Sequence, residues 1–190
     1  LYESLRFLFN HIEELDQPEF GSYFKDFLEI MAVRYAEGRL FTEEDMLKKY
    51  GDIPVYAFNF VDYILWKNRE ELGRKYKGVK FDHFKFAYRR SIEHWFPQHP
   101  NSDEKIEKMD DQFLHSFGNL CIITDSQNSK FGNLVPSAKY KQWEGIFDRQ
   151  SLKLQIMANI TEKTKWESYQ IKGLEKEILP MVKRFIESKS

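Results

Sequence analysis

Apolar side chains recur at spacings of three and four at the start and end of the chain, and the middle breaks that rhythm. Leu1, Leu5, Leu8, Ile12 and Leu15 predict a helix over 1–16, broken by Asp16-Gln17-Pro18. Phe20, Phe24, Phe27 and Met31 mark one face of a second helix over 19–36, with Gly38 beyond its end. Thr42 reads as the N-cap of a short helix that Gly51 closes, and Pro54 opens another that runs to about Leu72, before Gly73. From Val79 the period changes. Phe84, Phe86 and Tyr88 alternate with Lys85, Ala87 and Arg89, which predicts a strand. The polar stretch 101–115 predicts a long loop with a short helix near Asp110–His115. Asn119-Leu120-Cys121-Ile122-Ile123-Thr124 predicts a short buried strand. Ser126 and Pro136 then start short helices, the second running through Trp143. In the tail, Asn159 and Glu162 have capping-box spacing, and apolar periodicity continues to Ile186 with Gly173 and Pro180 as breaks or kinks. The sum is an α+β chain with a helical block at 1–78, a mixed strand–loop–strand–helix unit at 79–150, and a helical tail at 151–190 packing on the same domain.

Composition narrows the class. The 190 residues suffice for one large domain or a small pair, and 42% apolar content is enough to bury a core. Cys121 is the only cysteine, which excludes an internal disulfide framework and a four-thiolate zinc site. No apolar run approaches the ~18 residues that span a bilayer. The sequence begins at Leu1 without a visible signal peptide, so a soluble cytoplasmic protein, cut from or processed out of a longer one, is the expectation. The net charge of -1 hides an uneven distribution. Residues 1–66 carry 13 acidic against 6 basic side chains, whereas residues 67–90 carry 9 basic against 3 acidic. Such a basic stretch is ordinarily a solvated surface, and next to a reactive site it would face phosphate.

The mixed unit brings a carboxylate and an imidazole side by side, Glu93 and His94, with Asn119 and Asn128 following. Neighbours on a strand point to opposite faces, so this pair can share a site only where the strand ends or bends; Pro97 lies close behind. Phosphodiester hydrolysis needs an activated water and charge stabilisation on the leaving oxygen. A neutral histidine suits the base. A hard divalent ion takes one carboxylate, one amide carbonyl and waters, and polarises the phosphate. A second asparagine can fix the imidazole tautomer.

The segment Ser91-Ile92-Glu93-His94-Trp95-Phe96-Pro97-Gln98 resembles the His-x-x-Pro signature of the C-terminal domain of GmrSD-type restriction endonucleases. Phe117-Gly118-Asn119-Leu120 resembles that family's Gly-Asn-Leu strand, and Asn128-Ser129-Lys130 with the downstream Lys139 its Asn-Ser-Lys helix and lysine. The same order, including the run from Asn128 to Val135-Pro136-Ser137, resembles the HNH domain of RNA-guided CRISPR effector nucleases. The agreement covers about 87–143. The resemblance implies a mostly helical domain with an embedded HNH-like ββα-metal hairpin–helix unit and Mg²⁺ or Mn²⁺ as cofactor. It implies His94 as general base and Glu93 and Asn128 as metal ligands. Asn119 would support His94, and Lys130, Lys139, Arg89 and Arg90 would contact nucleic acid. It further implies a DNA endonuclease of a bacterial restriction or antiviral defence system, acting on DNA that includes modified DNA, with an upstream nucleotide-binding module. One such site cuts one strand at a time, so double-strand breaks would need a homodimer or a second visit.

Plainer roles compete for the same residues. A lone strand histidine is ordinarily a hydrogen-bonded structural group, Asn128 can be a helix cap, and Lys130 and Lys139 can be surface lysines. Asp82-His83 imitates Glu93-His94 without a downstream proline and is assigned to structure. His99 lies near enough to touch substrate, His115 suits a helix C-terminus, and Cys121 reads as an inert buried thiol. Two rivals to a DNA endonuclease are a non-catalytic DNA- or partner-binding module and a ribonuclease on the same site.

Overall fold

The computed structural model describes residues 1–41, 47–101 and 108–189, apart from the Glu37 side chain. Thr42 and the start of the helix expected after it lie outside the described residues. Helices α1 (Tyr2–Asn10) and α2 (Phe20–Leu40) are joined through a 3-10 turn at Ile12–Glu14. The Phe7 ring of α1 stacks on Phe27 of α2 at 4.1 Å, while Leu1, Leu5 and Phe9 stay exposed. The continuous helix expected to Leu72 is two helices, α3 (Val55–Lys67) and α4 (Arg69–Lys75), which break at Asn68. Pro54 stands just before α3 in an extended conformation, with its φ of -73° fixed by its ring.

The strand expected over 84–89 lies later. Residues 84–90 belong to no strand, and β1 is Ser91–His94. The alternation at Phe84, Phe86 and Tyr88 marks no buried face: Phe84 is buried, but Phe86 and Tyr88 are 55% and 82% exposed. Phe86 lies against Trp66 and Tyr63 of α3 with ring centroids 6.0 Å from each. β1 pairs antiparallel with β2 (Leu120–Ile123) in the register Ser91↔Ile123, Ile92↔Ile122, Glu93↔Cys121 and His94↔Leu120. Before β2 come α5 (Asp111–Leu114), as expected near 110–115, and a 3-10 turn at Phe117–Asn119. After it come α6 (Asp125–Phe131), α7 (Pro136–Trp143), α8 (Leu152–Lys163) and α9 (Ser168–Glu187). Thr124, not Ser126, caps α6 by accepting from the Gln127 backbone. Asn159 lies inside α8, and the capping box belongs instead to Glu167 and Gln170 at the start of α9. Pro180 is absorbed within α9. No helix among the described residues is long and apolar enough to cross a membrane.

The core closes around β2, whose four side chains are all buried between α3 and α8. Each fully buried Leu or Ile there stabilises the fold by about 1.5–3 kcal/mol. α9 lies on the turn before β2. The Gly118 backbone donates to Glu175 at 2.9 Å, and a Cβ at Gly118 would run into the Ile171 carbonyl and the Glu175 side chain. Only glycine allows that approach.

A buried acid sits where α3 meets α8. Asp62 is 1% exposed and accepts from the Lys153 backbone N–H at 3.0 Å, while Ser151 accepts from Leu154 at 3.1 Å. Together they satisfy the first amides of α8. Burial pushes the Asp62 pKa up to about 7, against the pull of those amides, Arg89 and Lys153. A carboxyl whose pKa is raised on folding favours the fold while it is protonated. Its contribution is full below the unfolded value and is lost as pH rises through the folded one. Asp62→Asn keeps the accepting oxygen without the charge. Its stability relative to wild type should therefore improve from pH 5 to pH 8, by about 1.4 kcal/mol per pH unit at most. Urea denaturation at the two pH values reads this, and a pH-independent difference would refute it.

Candidate active site

β1 ends at His94, and its alternation sends Glu93 and His94 to different neighbours. The Glu93 carboxylate is buried and receives the Lys139 ammonium at 2.6 Å. Lys139, from α7, is 0% exposed and also donates to the His94 and Trp95 carbonyls, each at 2.9 Å. Burial raises the Glu93 pKa against the pull of Lys139 and lowers that of Lys139 against the pull of Glu93. Lys139, expected to touch phosphate, has all three of its donors committed inside the protein instead. It is the carboxylate's partner and a brace under the end of β1. The expected register of chemistry along the sequence gave no sign of this pairing, because the two residues are 46 positions apart.

His94 sits in a niche of its own. Its Nε2 lies 3.2 Å from His115 Nδ1, its Nδ1 lies 3.2 Å from the Gln98 amide nitrogen, and the Tyr50 ring meets it edge-on at 4.5 Å. With Gln98 donating, Nδ1 is the acceptor and Nε2 carries the proton directed at His115. Burial, then the neighbouring His115 and Lys139, hold the His94 pKa down to about 4, so the ring is neutral at physiological pH. Tyr50, Gln98 and His115 were not singled out for this role by sequence. The Gln98 spacing, four residues past His94 across Pro97, was the available signal.

Asn119 is 0% exposed and does not touch the imidazole. Its side-chain oxygen accepts from the Phe96 backbone at 2.9 Å and the Trp166 indole at 3.0 Å, and its amide donates to the Phe96 and Leu114 carbonyls. Its own carbonyl accepts from Trp95 at 2.8 Å. Any support it gives His94 therefore passes through the backbone just after it.

α6 runs alongside β1. At its start Asp125 accepts from the Ser91 hydroxyl at 2.5 Å and the Arg90 guanidinium at 2.6 Å; at its end the Phe131 ring lies 6.0 Å from that of Trp95. Asn128 falls between these two anchors on the same flank and is exposed. Ser91 and Glu93 share a face of β1. In sequence, Asn128 lies between the two positions at which α6 meets Ser91 and Trp95. Lys130 is exposed, with its ammonium 5.7 Å from the Trp143 ring. Arg90 is exposed but paired with Asp125. Arg89, expected to contact nucleic acid, is 3% exposed and donates to the Arg149 carbonyl at 2.9 Å, so it is a core cation beside Asp62. The basic stretch is partly neutralised as well, by Lys67–Glu29, Arg69–Asp82 and Lys75–Glu177 pairs.

The donors fit one kind of cation. Among the described residues no three His, Cys, Asp or Glu side chains group together. Glu93 keeps one oxygen not taken by Lys139, and the Asn128 side-chain amide has no hydrogen-bond partner among the described residues, whereas its backbone carbonyl accepts from Gly132 at 3.2 Å. One carboxylate oxygen and one amide oxygen suit a magnesium-like ion that retains several waters; they do not suit a zinc ion caged by protein. Cys121 is buried, and burial pushes its thiol up, which leaves it inert.

A model of the family described as GmrSD restriction endonucleases, C-terminal domain, matches residues 42–180, nearly three-quarters of the chain. No curated protein and no solved structure matches it.

Proposed function

The chain belongs to the GmrSD restriction endonuclease C-terminal domain family, and from that premise we propose that it hydrolyses DNA phosphodiesters with a divalent cation at an HNH-like ββα unit formed by β1, β2 and α6. The observation that carries the proposal is that α6 meets Ser91 of β1 through Asp125 and Trp95, the residue just after β1, through Phe131, two contacts that bracket Glu93 on one side and Asn128 on the other in sequence. In this reading Glu93 and Asn128 hold Mg²⁺ or Mn²⁺. The ion would supply charge to offset that building up on the leaving oxygen.

The chain's own groups do the rest. Lys139 fixes the Glu93 carboxylate through one oxygen and leaves the other for the ion. The lowered pKa keeps His94 in the neutral form that can accept a proton and makes it a weaker base than a free imidazole, so its acceptor role requires the charge of the bound ion and substrate to be placed to favour the transfer. The Nδ1 lone pair of His94 is met by the Gln98 amide, so Gln98 must turn away before Nδ1 can take a proton from water. His115 accepts from the far ring nitrogen and steadies the imidazolium as it forms. Asn119 clamps Trp95 and Phe96 to the turn before β2 and so sets the height of His94. Lys130 is the exposed cation on α6 placed to meet a phosphate.

The test is cleavage of supercoiled plasmid with Mg²⁺, Mn²⁺ or EDTA, beside an RNA of equal length. Cutting of DNA that needs the cation and disappears in EDTA is expected. Preferential cutting of RNA would reassign the substrate, and binding without cutting under every metal would leave a non-catalytic module.

A further inference from the structure

Away from the candidate active site, α2, α3 and the extended segment before β1 enclose a cleft of about 430 Å³. Tyr35, Tyr56, Tyr63 and Phe86 line it with Asn59 among them. Nothing in the chemistry proposed above uses it. The cleft is at the lower end of the size range of small-molecule sites, and four rings in so small a space select a flat guest. Phe86 and Tyr35 are about half exposed, at 55% and 49%, so their faces are open to one.

Two polar groups refine the choice. Asn59 is half-buried, and its side-chain amide has no partner among the described residues, so it offers a donor and an acceptor side by side to a heterocycle edge. Arg39 stands at the rim. It donates to the Tyr56 hydroxyl at 3.1 Å, and its guanidinium lies 5.9 Å and 5.8 Å from the Tyr35 and Tyr56 ring centres. No carboxylate pairs with it among the described residues. An aromatic cage can also hold a quaternary ammonium, but a fixed guanidinium over two of the four rings repels a cationic guest. The same guanidinium attracts phosphate. Lys85, beside Phe86 in the chain, is exposed and adds a second positive charge.

We propose that this cleft holds the base of an unpaired deoxynucleotide, packed against the Tyr35, Tyr56, Tyr63 and Phe86 rings, with its edge on Asn59 and its phosphate toward Arg39. The ligand class rests on the nucleic-acid function proposed above, but the cleft is separate from the candidate active site. Eight positions separate Phe86 from His94, which bounds the gap at about 26–29 Å of extended chain. A strand whose unpaired base is seated here could therefore reach the candidate active site.

The test is binding, read in EDTA so that cleavage plays no part. A fluorescein-labelled single-stranded DNA 12-mer is titrated with wild type, Tyr35→Ala, Phe86→Ala, Asn59→Leu and, as the control, Tyr169→Ala, an exposed ring that does not line the cleft. Base stacking predicts a roughly tenfold weaker Kd for each cleft-ring variant, an unchanged melting temperature, and an unchanged Kd for Tyr169→Ala. A 12-mer carrying abasic sites should bind wild type as weakly as the ring variants bind the normal strand. Asn59→Leu should lose preference among the four homopolymers. Titration with deoxynucleoside monophosphates separates a free nucleotide from a base within a strand as the natural occupant. Equal affinity of wild type and both ring variants, or for normal and abasic strands, overturns the proposal, as does failure of wild type to bind strand and monophosphate alike. Cleavage that fails while the ring variants still lose affinity would sink the nuclease function and leave the cleft standing.

Discussion

Nicking of supercoiled DNA by His94→Ala is expected to fall by roughly 10²- to 10⁴-fold, the range that a positioned general base contributes. The reason is local. Burial and two neighbouring groups hold the imidazole neutral, and its two nitrogens have separate partners, so one can take a proton while the other is held by His115. No other described histidine occupies the end of a strand beside a carboxylate. His115→Ala is the informative companion. It removes the far hydrogen bond and the stack on Tyr50 but leaves the His94 imidazole in place, and should lower the rate far less. Circular dichroism and melting temperature show whether either variant still folds, since His94 is largely buried and its loss leaves a small void beside Tyr50. Equal nicking by wild type and a folded His94→Ala would remove the imidazole from the chemistry.

Lys139→Met should destabilise the fold by about 3–5 kcal/mol, the range for deleting one partner of a buried ion pair. Three things happen at once. Glu93 keeps its place with no counter-charge, and the His94 and Trp95 carbonyls lose their donor in a region with little water. Because burial already opposes both charges, removing them together is a different matter. Glu93→Leu with Lys139→Met leaves only the carbonyls orphaned, so the double variant should be less destabilised than the sum of the two singles. Urea midpoints of the four proteins measure this. Additive losses would mean that the carboxylate and the ammonium do not depend on one another. Cleavage should vanish in both proteins that lack Glu93, whatever their stability.

What could be read ahead of the coordinates was what local rules decide. Pro54 announced α3, the apolar run at 120–123 announced β2, and Pro136 opened α7. Period two misled at Phe84–Tyr88, because of the three rings only Phe84 is buried, while Phe86 rests partly on α3 and Tyr88 lies in solvent. Capping-box spacing at Asn159 misled because a helix start is marked by where the amides lack partners, and those amides belong to residues 152–154, met by Asp62 and Ser151. At the candidate site the order Glu93, His94, Asn119, Asn128 was legible and the partners were not. Lys139 finds Glu93, and His115 finds His94, through tertiary packing that no spacing encodes. Arg89 shows the reverse failure. A basic stretch looks uniformly solvent-facing until one member is drawn inward to cover a buried acid.

The contact between Gly118 and α9 reaches further than packing. Every residue assigned to the chemistry lies within 79–150, so that interval would be the natural choice for a miniature cutting cassette. Yet the turn that presents Asn119 has its outer wall on Ile171 and Glu175, and the indole that completes the Asn119 clamp is Trp166. Excised alone, the cassette would keep its reactive groups and lose the surface they are pressed against. Engineering of this domain should treat the last helix as a structural buttress, and place fusions and truncations elsewhere.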